Sequence, residues 1–158
     1  MPETTKAARK FAVGEQRLTV LLMGLWRIAR EDRRWPLARD FTASVLPHLL
    51  SDCFSIFPAE RTADGEVCFI GENLARVSGI TRTSLPLSLV PGNTLLGVAT
   101  KSFAQALQGS PVHDRGEFED RVGKRNLYRA ILLPLANGRG EIAQVIGGTR
   151  CRAGPAAG

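Results

Sequence analysis

LYRAILLPLA-NGRG-EIAQVIGGTR, residues Leu127 to Arg150, decides the fold. An apolar run from Leu127 to Ala136 meets Asn137-Gly138-Arg139-Gly140, and the chain returns through Glu141 to Arg150. Asn-Gly followed by a second glycine supplies residues that tolerate positive φ, a strong hairpin signal. A parallel crossover needs about a dozen residues or more, so so short a turn predicts antiparallel neighbours. Upstream, Val112 to Gly123 is highly charged and reads as a third strand with one wet face. Further back, Cys53 to Phe57 reads as a strand ended by Pro58. The segment Thr62-Ala63-Asp64-Gly65 turns it, and Glu66 to Gly71 returns.

Between the two strand groups lie helical signals. One or two turns are predicted over Glu72 to Ser78, closed by Gly79. A longer helix opens at Asn93 or Thr94 and runs to about Leu107, with Gly109 ending it. The stretch Thr81 to Asn93, with Pro86, Pro91 and Gly92, reads as irregular. Two hairpins separated by helices do not make a doubly wound parallel sheet. They suit one antiparallel sheet with helices on one face, an α+β domain. Phe54, Ile56, Val67, Phe69, Leu133 and Ile146 are expected in or beside that sheet, most of them buried.

From Gly14 to about Asp32 the period is helical. Leu18, Leu21, Leu22, Leu25, Ile28 and Ala29 make one apolar stripe. Val20, Met23 and Trp26 fall outside it, which makes them the candidates for burial against a second copy of the chain, a two-fold homodimer. Pro36 stops the pattern. A short helix capped by Asp40 or Thr42 follows to about Leu50, with Val45, Leu46, Leu49 and Leu50 on its buried side. Residues 1–13 read as a flexible polar arm, 14–152 as a single domain and 153–158 as a disordered tail.

This order of elements resembles the PAS superfamily of sensory domains, in particular small stand-alone bacterial PAS-like proteins. The matching stretches are Leu25-Trp26-Arg27, Trp35-Pro36, Arg39-Asp40-Phe41 and Leu46-Pro47-His48-Leu49-Leu50. Phe69-Ile70-Gly71 leading to Ala75 through Gly79, and Ile131 to Leu135 with its return, complete them. After Gly79 the chain reads Ile80-Thr81-Arg82-Thr83-Ser84 and lacks the Asp-Leu-Thr-Gly step associated with such proteins. The resemblance implies a five-stranded antiparallel sheet with helices packed on it, an N-terminal helix, and a pocket under the sheet's concave face. Phe54, Cys68, Ile70, Phe103, Leu133 and Gln144 are the candidate lining of that pocket.

Chemistry is sparse. The chain has 158 residues and a net charge of +6, enough length to bury a core without a metal or disulfide staple. Residues 1–40 hold nine basic and five acidic side chains, so +4 of the +6 lies there, in Arg27, Arg30, Arg33, Arg34 and Arg39 among others. That cluster suits an anionic partner or a solvated helix end. An aromatic content of 6% leaves little for base stacking, so nucleic acid is not the expected partner. Cys53, Cys68 and Cys151 have no paired spacing and, with only His48 and His113, compose no metal motif. None of the three is followed by the Arg-Phe-Leu-Gln of a PAS-type flavin photosensor. Gly147-Gly148 opens no helix and makes no phosphate loop.

The expectation is a cytoplasmic, non-enzymatic sensory or interaction module without metal or cofactor, and with no membrane span. It would bind a small apolar ligand or a partner signalling protein. The alternative is a small enzyme or carrier acting on a small organic acid or ester in the same pocket.

Overall fold

The computed structural model of the chain describes residues 15–45, 47–59 and 64–155. Helices α1 (Glu15–Arg30), α2 (Ala38–Ser44) and α3 (Pro47–Leu50) lead to strands β1 (Cys53–Pro58) and β2 (Gly65–Ile70). Helix α4 (Glu72–Ser78), the two-residue strand β3 (Leu85–Pro86) and a 3-10 turn at Leu87–Leu89 follow. Then come α5 (Leu95–Ala99), α6 (Phe103–Ala106), β4 (Val112–Glu119), β5 (Arg125–Ala136) and β6 (Ile142–Ala153). The expected arm over 1–13, buried Leu46 and the turn residues Thr62 and Ala63 lie outside the described residues. Ala153, assigned to the tail, is the last residue of β6 and pairs with Asn126.

One antiparallel sheet in the order β3-β2-β1-β6-β5-β4 holds the fold together. The β5–β6 turn forms as its residues dictate. Gly140 takes φ +77°, and Asn137 Oδ1 accepts the amides of Arg139 at 2.8 Å and Glu141 at 3.2 Å. The sheet has six strands where five were expected. The sixth is β3, inside the stretch read as irregular, which pairs Leu85 with Val67 and Pro86 with Glu66. A proline is tolerated there because β3 is an edge. The helix expected from about residue 94 to 107 is two helices. Thr100 caps the first, its Oγ1 donating to the carbonyls of Leu96 and Gly97 at 2.9 and 3.1 Å.

Helices cover both faces of the sheet, where one face had been expected. Along β5 the side chains alternate between two cores. Tyr128, Ala130 and Leu132 join Phe54, Ile56, Leu96, Phe103 and Val145 under α4, α5 and α6. Ile131, Leu133 and Leu135 join Leu18, Leu22, Trp26, Phe41, Leu49, Cys53 and Ile146 under α1, α2 and α3. Burial on two sides explains why β5 reads as an unbroken apolar run. Of the six residues expected in the sheet, five are buried; Phe69, on β2, is 39% exposed.

On α1 the inward row is Leu18, Leu22 and Trp26, spaced i, i+4 and i+8, with Leu21, Leu25 and Ala29 beside it. At about 100° per residue, Ile28 stands roughly 120° from the middle of that row and Val20 roughly 160°. Ile28 is accordingly 74% and Val20 51% exposed. The assignment of Trp26 to the outer face is thus corrected, and Ile28 takes its place outside. Trp26 sits on the inward row with Leu18 and Leu22, and its buried indole N–H is satisfied by donating to the Pro134 carbonyl at 2.9 Å.

Candidate functional site

The six candidate lining residues do not form one site. Phe54 and Phe103 lie in the core beneath α4, α5 and α6, and Ile70 packs against it. Leu133 belongs to the opposite core, beneath α1, because it is one residue out of step with Leu132. Gln144, half-buried, alternates with Val145 and so shares the face of Ile146. Cys68 is exposed, at the β-bulge where Ser55 pairs with Phe69 and Ile56 with Val67. Phe54 and Phe103 fill space here, with Phe54 lying against Gly147 and Phe103 beside Gly65.

An opening on this face lies elsewhere among the described residues. A cleft of about 260 Å³ runs between the end of α4, the segment Asn93–Thr94 and the β4–β5 turn. Its walls include Ser78, Thr94, Phe118, Asn126 and Cys151, with Arg76 and Arg121 at the rim. Phe118 and Cys151 pack against the core beneath, and Phe118 meets Tyr128 edge to face with centroids 6.1 Å apart. Asp120 shapes the turn. Its carboxylate accepts the amides of Val122 at 3.1 Å and Lys124 at 2.8 Å, and the Asn126 side chain at 3.1 Å. The Lys124 amide first, then Asn126 and Val122, holds that carboxyl below its usual range. The phenol of Tyr128 is pushed up to about 12, by burial and then by donating to Asp114 at 3.0 Å.

An ion pair with a buried carboxylate sits at the start of β1. Asp52 accepts from Arg150 Nε at 2.7 Å and from the Asn73 side-chain amide at 2.6 Å, and Arg76 donates to Asn73. These bonds tie β1, β6 and α4 together. Cys53, next in the chain, is fully buried and donates to the Leu49 carbonyl at 3.2 Å. Burial, and then the Asp52 charge, push its thiol up to about 12, which removes the nucleophilic thiolate. Among the described residues no three of His, Cys, Asp and Glu cluster to hold a metal, and no helix is long and apolar enough to cross a membrane.

Sequence reading missed the cleft. One signal for it was present: in Glu117-Phe118-Glu119 a lone aromatic interrupts a charged strand and marks the inward face. The other walls come from three distant segments that no spacing connects.

The antiparallel sheet with helices packed on it and the N-terminal helix are those expected from the resemblance, and that helix covers the second face. In fold the chain is similar to PAS and LOV domains. The PAS domain of Bordetella pertussis BvgS aligns at 15% identity and TM-score 0.42, over 67% of this chain and 78% of that one. The PAS domain of an HTR-like protein from Haloarcula marismortui aligns at 21% identity and TM-score 0.39, over 70% and 97%. A variant of the fungal photoreceptor VVD aligns at 14% identity and TM-score 0.46, over 83% and 93%. No protein-family model matches the chain, and no curated protein does.

Proposed function

We propose that the protein is a non-enzymatic sensory or interaction module that passes on a bound ligand's or partner's effect through association of two copies along α1. The observation that carries this reading is the double use of that helix. Its inner row, Leu18, Leu22 and Trp26, packs on β5 and β6, while Val20 and Ile28 project from its outer side. Gly24 lies between them with open space above its Cα. A two-fold contact sets position i against j and j against i. Centred on Gly24, it pairs Val20 of one copy with Ile28 of the other, and the glycine lets the helices approach. Met23 is half-buried in the chain's own core and Trp26 fully engaged there, so the interface is Val20, Gly24 and Ile28.

The ligand end of the module is the cleft at the β4–β5 turn. Its apolar floor, Phe118 and Cys151, suits a small apolar body, and Arg76 with Arg121 suits an acid group on it. Those two cations also favour the second reading, a carrier or small enzyme for an organic acid.

Sedimentation at micromolar concentration tests the module. Wild type is expected as a dimer, and Val20→Glu as a folded monomer. A monomeric wild type defeats the reading. Turnover of a small carboxylic ester that Arg121→Gln abolishes would favour the enzyme instead.

A further inference from the structure

A second cavity, of about 670 Å³, lies between the segment after α1 and the β5–β6 turn. Arg33, Arg34 and Arg39 line it together with Trp35, and Asn137 and Gly138 close the far side. Among the described residues, those lining it include no carboxylate. Asp40 reaches Arg33 at 3.5 Å and Arg39 at 3.9 Å, long contacts between half-exposed or fully exposed groups. Three guanidiniums against one carboxylate leave an excess of two positive charges at the cavity.

A solvated charge run needs no fixed backbone, yet this one is tied down at two places, Trp35 against Gly109 and Pro36–Leu37 against Ala136. The Trp35 indole donates to the Gly109 carbonyl at 2.8 Å, and the Arg34 guanidinium lies 4.5 Å from the Trp35 ring centroid. The Ala136 amide donates to the Pro36 carbonyl at 2.9 Å, and Leu37 bridges to Ala136. Gly109 takes φ +110°, and a Cβ there would meet Trp35 and Arg34 at 3.0 and 3.2 Å, so the glycine makes room for the stack. The backbone that carries the cations, and the Arg34 guanidinium stacked on Trp35, are thereby held in place before anything binds, which lowers the ordering cost of binding. Arg34 meets no carboxylate within ion-pair distance among the described residues. Its planar fork matches two oxygens of a phosphate.

We infer that this cavity binds a small phosphate compound carrying two or more negative charges, with Arg33, Arg34 and Arg39 as its ligands. The inference does not rest on the dimer or on the cleft at the β4–β5 turn, since it concerns another part of the surface.

Calorimetric titration with inorganic pyrophosphate at low salt is the test. Saturable binding at one per chain is expected, weaker for inorganic phosphate. Arg34→Gln should weaken it about tenfold, the loss of one charge-assisted pair. Asp40→Asn should tighten it several-fold by releasing Arg33 and Arg39. Arg82→Gln, an exposed arginine elsewhere, should leave it unchanged, and circular dichroism should show all three variants folded. Pyrophosphate that does not saturate, or that Arg82→Gln weakens as much as Arg34→Gln, overturns the site. Binding of heparin or duplex DNA without binding of pyrophosphate also overturns it, because that marks a diffuse basic surface.

Discussion

Gly147 and Gly148 are neighbours on β6 and face opposite layers. A Cβ on Gly147 would strike the Phe54 ring and stand 2.7 Å from the Ile131 carbonyl oxygen. A Cβ on Gly148 would strike the tip of Leu22 and approach Leu18 Cδ2 at 3.3 Å. One obstacle includes backbone of the neighbouring strand β5, and the other is two leucine tips on a helix. The core under α4, α5 and α6 is therefore locked into the sheet, while the core under α1 has a cover that can shift. The largest expected effect breaks or upholds that asymmetry: Gly147→Ala should cost about 3 kcal/mol and Gly148→Ala about 1 kcal/mol, as overpacking with and without relief. Urea denaturation midpoints at constant slope measure both. Equal costs would mean that the two layers are equally rigid.

The same two faces explain what the sequence revealed. The β5–β6 hairpin was legible because Asn137-Gly138-Arg139-Gly140 admits few conformations, and β1 and β2 because Pro58 and Asp64-Gly65 bound them. The helix Glu72–Ser78 and its closing Gly79, at φ +66°, were legible for the same reason. Which way a side chain points was not legible wherever burial is two-sided. Leu132 and Leu133 are equally apolar and face opposite cores. On α1, so many positions are apolar that more than one stripe fits, and the bond from Trp26 to Pro134, 108 residues away, selects among them. The arginine cavity was half visible as a charge cluster, but its other wall comes from the β5–β6 turn.

Cysteines sharpen the comparison at a smaller scale. Cys53 lies in the core under α1, and Cys68 is exposed on β2. A thiol whose folded pKa is raised to about 12 keeps its proton in the folded chain while the unfolded chain loses it from about 9 upward. Stability due to this group is therefore full below pH 9 and falls as pH rises from about 9 to 12, by of order 1 kcal/mol per pH unit. Cys53→Ser keeps a donor for the Leu49 carbonyl and removes the titration, so its alkaline decline should be shallower. Iodoacetamide should modify Cys68 in the native protein and Cys53 only on opening of the α1 layer. Comparable native labelling of both would show that the layer opens freely.

The smallest expected effect separates the β4–β5 turn from the β5–β6 turn. The β4–β5 turn is held by the carboxylate of Asp120 and the β5–β6 turn by the uncharged amide of Asn137. Because the folded pKa of Asp120 is lowered, the support it gives is present above the unfolded carboxylate's pKa, about 4, and is lost as pH falls through the folded value. Protonation leaves Oδ1 a weaker acceptor for the amides of Val122 and Lys124. Amide exchange, corrected for intrinsic rates, should therefore lose protection at Val122 and Lys124 below about pH 4. Arg139 and Glu141 should keep theirs. Asp120→Asn should remove the pH dependence while leaving an acceptor in place. Since Asp120, Arg121 and Val122 form one wall of the cleft, acid should also loosen any ligand seated there. Simultaneous loss of protection at both turns would mean that acid unfolds the whole sheet, and Asp120 would then have no local role.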